Sequence, residues 1–120
     1  MYSGELEVRT KRKTIAVLQE ETNKILNLSR ELAVMMDAVF LDNKDGIKES
    51  SYKMSILEND IMVLRKQITK EVIAIGSLMT YREDLLRTAY FVAEISGYIS
   101  GISFRLSNIE PRIIKQNLEL

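Results

Sequence analysis

Carboxylates, rather than imidazoles or thiols, are the groups in this sequence with the means to bind a metal or move a proton. The 120 residues include no histidine and no cysteine. Without histidine the commonest general base near neutral pH and the commonest transition-metal ligand are missing. Without cysteine there is no disulfide framework, thiolate metal site or thiol nucleophile. What remains is a scatter of acids, of which Glu58, Glu83, Asp84 and Glu94 stand near recognisable local patterns. Oxygen ligands of this kind suit hard cations, but several must converge to hold one. The plain alternative for each is a solvated acid, or for Glu83 a helix cap. No catalytic constellation emerges, so a non-enzymatic protein without a cofactor is expected.

A second pattern is the stretch EISGYISGISF, residues 94–104. Ser96, Gly97, Ser100 and Gly101 recur at helical spacing inside an apolar segment. Glycine costs a helix about 1 kcal/mol relative to alanine, so two of them four apart need a reason. Small residues let another backbone come close. Two readings stay open: tight packing inside a bundle, which the pattern favours, or a dimerisation face.

Lys and Arg number 17 and Asp and Glu also 17, so no overall charge draws the chain to nucleic acid. Tyr81 and Tyr90 are too scattered for a base-stacking platform. Tyr52, Tyr81, Tyr90 and Tyr98 are expected at the edge of the core, with their hydroxyls in water. Arg9, Lys11, Arg12 and Lys13 form a basic run, read as a charged helix start or a flexible arm, with a phospholipid or transporter contact as the alternative. The amino-terminal segment lacks the apolar core of a signal peptide. The best membrane-span candidate, TAYFVAEISGYISGISF between Arg87 and Arg105, is short and interrupted by Glu94. A soluble, cytoplasmic protein is expected.

These groups must be positioned by long helices. Proline occurs once, at Pro111, and glycine is sparse. Ile15, Leu18, Thr22, Ile25, Leu28, Leu32, Met35 and Val39 step by threes and fours, one face of an amphipathic helix. Met54, Leu57, Ile61, Leu64, Ile68, Val72, Ile75 and Met79 repeat the stepping. Between them LDNKDG, residues 41–46, reads as a turn in which Gly46 accepts positive φ. Thr80, Tyr81, Arg82 and Glu83 fit a capping box, with the Thr80 hydroxyl and Glu83 carboxylate satisfying first-turn amides. A third stripe follows: Leu85, Ala89, Val92, Ser96, Ile99, Ile102, Leu106 and Ile109. Asn108 to Pro111 is expected to end that helix and start a short stub. The predicted fold is all-α, a single antiparallel three-helix bundle over 1–120, with helices about 8–40, 47–79 and 81–109 and a stub at 111–120. Leu26, Met36, Ile56, Ile73, Phe91, Ile95 and Tyr98 lie beside the stripes and widen the apolar surface.

Two segments carry a family resemblance: LENDIMVLRKQI at 57–68 and YREDLLRTAYFVAEISGYISGISFRL at 81–106. They resemble one repeat of the PhoU-like phosphate-uptake regulators, in particular the group that accompanies Pit-type phosphate permeases. The resemblance implies a three-helix bundle that usually occurs as two repeats in one chain. It implies clustered carboxylates on facing helices that bind multinuclear metal, and a role in restraining phosphate transport or signalling at the membrane. Aligned on Arg65 and Lys66, Glu58 keeps an acid but its partner four residues on is Met62. Aligned on Arg82 to Asp84, the family's acids fall on Ala93, Glu94, Gly97, Ser100 and Gly101, where only Glu94 is acidic. A scaffold that has lost the multinuclear site is therefore expected, with Glu58 and Glu94 as residual weak ligands.

The expected role is that of a regulatory adaptor docking helix to helix on a phosphate permease or a signalling partner, peripheral to the inner face of the plasma membrane. A self-assembling structural bundle and an oxygen-ligand metal protein are the alternatives. A homodimer is expected, because one repeat is present, apolar surface is left over, and the small-residue face allows close approach.

Overall fold

In the computed structural model, residues 2–75 and 82–119 are described, with side chains described for 4–5, 8–9, 11–74 and 82–109. Three α-helices account for nearly all of this: α1 (Tyr2–Phe40), α2 (Lys44–Ile75) and α3 (Arg82–Glu119). The predicted bundle is present, with α1 and α2 beginning earlier than expected and α3 continuing past the expected end at 109. The basic run from Arg9 to Lys13 is helical, not a flexible arm. The carboxy-terminal stub is helical too, but continuous with α3. Pro111 lies inside the helix although it deprives the Ser107 carbonyl of its usual amide donor.

Two inter-helix ion pairs set the register of α1 and α2. Lys13 Nζ meets Glu71 Oε1 at 3.3 Å, and Lys24 Nζ meets Asp60 Oδ2 at 3.3 Å. Residue numbers rise on α1 as they fall on α2, so the pair is antiparallel. On the other side, Ser103 Oγ donates to Met35 Sδ at 3.5 Å, and Val17 shares a cluster with Ala89. α3 therefore runs parallel to α1. Each helix is offset along the axis, which stretches a bundle only 18 by 15 Å across to a length of 73 Å.

The core has two apolar parts. Near the α1–α2 turn, Ile25, Leu28, Leu32, Met35, Met54, Ile61 and Ile99 pack together. Toward the other end, Val17, Leu64, Ile68, Val72 and Ala89 form the second cluster. The α2 stripe matches the expected one across the residues whose side chains are described. The α1 stripe differs in its first half: Thr14, Val17 and Glu21 are buried, whereas Ile15 and Thr22 are exposed and Leu18 is half-buried. Stepping back from Ile25, both branches advance by threes and fours. The buried branch is the one that keeps a seven-residue period with Leu28 and Met35, as a helix wound against partners requires. On α3, Ser103 takes the inward position expected for Ile102, which is exposed.

The turn is built differently from the sequence expectation. Asp42, at φ 56°, is the residue with positive φ, and Gly46 belongs to α2. The Asp42 amide donates to Val39 O at 3.2 Å and the Asn43 amide to Ala38 O at 2.8 Å. These two bonds close α1 in a Schellman motif. Asn43 then caps α2, its Oδ1 accepting from the Gly46 amide at 3.0 Å. Gly46 is small because a Cβ there would lie 2.8 Å from Asn43 Nδ2 and 3.2 Å from Ala38 Cβ. Close approach, not backbone freedom, explains this glycine.

Candidate functional site

The outward surface of α3 is the most distinctive surface of the molecule. Phe91, Ile95, Tyr98 and Ile102 advance by four, three and four, which keeps them on one side of the helix. All four are exposed, as are Tyr90 and Phe104 on the opposite flank; Tyr98 and Phe104 are 70% and 71% accessible. The rings of Tyr90 and Phe91 meet edge to face, with centroids 6.3 Å apart. Aromatic groups of this size normally bury most of their area in a core or an interface.

The small residues divide between the two sides of this helix. Ser96 is buried and Ser100 is half-buried, its hydroxyl donating to the Ser96 carbonyl at 3.0 Å. Gly97 and Gly101 are exposed, and a Cβ added to either would meet nothing within 4 Å. The expectation that the glycines pack tightly inside the bundle is thus corrected. Their spacing puts them on one shared face, and that face points away from α1 and α2. In the bundle alone nothing requires a glycine at 97 or 101. The tyrosines are also farther out than expected: Tyr52, Tyr90 and Tyr98 are exposed, beyond the edge of the core.

The candidate metal ligands do not converge. Glu58 on α2 and Glu94 on α3 are both half-buried, and the register puts them at similar height. Met62, exposed, occupies the place where a second carboxylate would complete a pair with Glu58. No group of three acid, histidine or cysteine side chains is placed to hold a metal among the described residues. Glu83 and Asp84 lie in the first turn of α3, where acids suit the helix dipole. Thr80, the other half of the expected capping box, lies outside the described residues, as do Tyr81 and Met79.

Inside the bundle the structure adds a group that sequence reasoning did not single out. Glu21 has no accessible surface, and neither carboxyl oxygen has a hydrogen-bond partner. Burial raises its pKa to about 7, while the nearby Arg65 guanidinium pulls the other way. Thr14 Oγ1, Glu71 Oε2 and Arg82 Nε are also buried without partners. All of these belong to the half of the bundle remote from the α1–α2 turn. Extending the Leu28 and Met35 period backwards by sevens lands on Glu21 and then Thr14, so a heptad reading would have found both.

This interior carboxyl is a proton-binding group without an evident route for a substrate. Surface grooves run instead along α1, one beside Gly4, Glu5, Val8, Arg9 and Arg12 and another beside Ile15, Leu18, Gln19, Thr22 and Asn23. Neither gathers an acid with a base or a nucleophile in the way acid–base or covalent catalysis needs. Among the described residues no helix is long and apolar enough to cross a membrane. No family model, curated protein or solved structure matches this chain.

Proposed function

We propose that the protein is a non-enzymatic regulatory adaptor that works by docking one helix face, the outward surface of α3, against another helical protein. The observation that carries this reading is the run of exposed Phe91, Ile95, Tyr98 and Ile102 along one side of α3, with exposed Tyr90 and Phe104 beyond it. A contiguous apolar face on a slender bundle has a free-energy gain waiting on its coverage. The segments 57–68 and 81–106, which resemble PhoU-like regulators, make phosphate transport at the cytoplasmic side of the membrane the process it regulates. The departures at Met62, Ala93, Gly97 and Gly101 leave that role to contact rather than to bound metal.

Phosphate uptake measured in cells of the source organism tests this reading. Loss of the gene is expected to alter uptake, and Phe91→Ser with Phe104→Ser is expected to reproduce the loss while helical content stays constant. Uptake that is unaffected by either change would instead favour a self-assembling structural bundle. Two or more metal ions per purified chain would favour the metal-protein reading.

A further inference from the structure

We infer that the outward face of α3 binds the same face of a second copy, antiparallel, with the two-fold axis passing between residues 99 and 100. The inference rests on the docking reading above and deepens it by naming the occupant and the register.

The face is self-complementary in one register. Gly101 leaves open space where a Cβ would stand, and so does Gly97. Three residues before Gly101 stands exposed Tyr98, and five after Gly97 stands exposed Ile102. An antiparallel pair centred between residues 99 and 100 sets Tyr98 against Gly101 of the second copy. On one flank of that contact Ile102 comes beside Ile95 of the second copy, while Phe104, nine residues from Ile95, stands on the other flank. Large groups meet absent ones, the condition for close interlocking of two helices. The axis also brings Glu94 opposite Arg105 of the second copy, twice by symmetry. Both side chains belong to the outward half of α3, and neither has an ion-pair partner among the described residues. Opposite charges at matched height select this register and penalise a parallel pairing, where Glu94 would meet Glu94.

Apolar coverage, shape and charge therefore agree on one arrangement, and a closed two-fold pair leaves no further copy to recruit. Gly101, which costs helix stability within one chain, becomes the hollow that admits the second chain.

The absence of native cysteine permits a direct test with single-cysteine chains. In this register Glu94 and its own symmetry mate are separated along the axis by roughly 16 Å, the rise of eleven helical residues. The same holds for Arg105. Disulfides need Cα atoms within about 7 Å. A mixture of Glu94→Cys and Arg105→Cys chains is expected to form a disulfide-linked dimer under mild oxidation, and each variant alone is expected to give little. Cross-linking of Glu94→Cys with itself, or none in the mixture, would overturn the register. Charge exchange supplies a second readout on folded chains. Glu94→Arg and Arg105→Glu are each expected to weaken dimerisation about tenfold, and the double exchange to restore it. A monomeric wild-type mass at micromolar concentration would overturn the second copy as occupant. It would leave the phosphate-uptake experiment as the separate test of docking on another protein.

Discussion

The two sides of α3 both carry large apolar residues, but only one side has them covered. Its inward side carries the buried Ala89, Ser96, Ile99 and Ser103, three of them small, with Leu85, Leu86, Val92 and Leu106 half-buried and packed against the core. Its outward side carries Phe91, Ile95, Tyr98, Ile102 and Phe104, all large and all exposed. Small inward groups let α3 lie close against α1 and α2, which keeps the bundle thin. Large outward groups gain nothing from the bundle, so their stabilising contribution arises only on association. The comparison separates residues that hold the fold from residues that use it, and mutation should separate them the same way.

The largest expected effect is on the inner side. Leu28 is fully buried, and Leu28→Ala is expected to cost about 3 kcal/mol of unfolding free energy through lost burial and a cavity. Phe104→Ala, removing a larger but exposed group, is expected to change the stability of the single bundle by under about 0.5 kcal/mol. Denaturant unfolding in dilute solution measures both. Comparable losses for the two would erase the distinction between the faces.

Glu21 gives the next effect, and its sign follows from the raised pKa. The folded state holds the proton up to about pH 7, whereas the unfolded chain releases it near 4.5, its ordinary value. Between these limits the folded state binds more protons, so stability falls as pH rises. The loss is complete above pH 7 and amounts to roughly 3 kcal/mol, at 1.36 kcal/mol per pH unit. Glu21→Gln, which mimics the protonated carboxyl, is expected to remove this slope and to be the more stable protein at pH 8. A wild-type stability that is flat from pH 4.5 to 7.5 would contradict the buried, unpartnered carboxyl.

The glycines sharpen the comparison most finely because one change should act with opposite signs. Gly97→Ala places a methyl group in open space on the single bundle, so it is expected to stabilise the helix by about 0.5–1 kcal/mol. Gly101→Ala, equally open on the single bundle, should also weaken dimerisation by a similar amount, because Tyr98 of the second copy occupies that hollow. Gly46→Ala is the control at the turn. There the methyl group meets Asn43 and Ala38, and the disturbed cap is expected to cost about 1 kcal/mol. Thermal unfolding at low and high protein concentration distinguishes the three outcomes.

Much of the fold is legible in residue spacing. The α2 stripe from Met54 to Val72 has a clear helical period, and LDNKDG interrupts it where the chain turns. Spacing is less informative about direction. Gly97 and Gly101 share a face by being four apart, but the inward residue is Ser96, one position away. Which of the two points inward depends on where α1 and α2 lie, and that is a tertiary fact. Glu21 was hidden for another reason. A hydrophobic stripe is traced by passing over acids, so the apolar Leu18 and Ile15 attract the reading and the heptad through Glu21 and Thr14 is missed. At the turn, Asp42 takes the left-handed conformation that glycine usually favours, and the short polar side chain of aspartate makes that exchange tolerable.

The central claim is that the outward face of α3 is covered in the working protein, and a single reporter tests it most directly. The sequence has no tryptophan, so Tyr98→Trp places one indole on that face, opposite Gly101 of the second copy. Its fluorescence should shift to the blue and become shielded from iodide as protein concentration rises through the micromolar range. Emission that stays water-exposed and fully quenchable at every concentration, with helical content intact, would contradict the account.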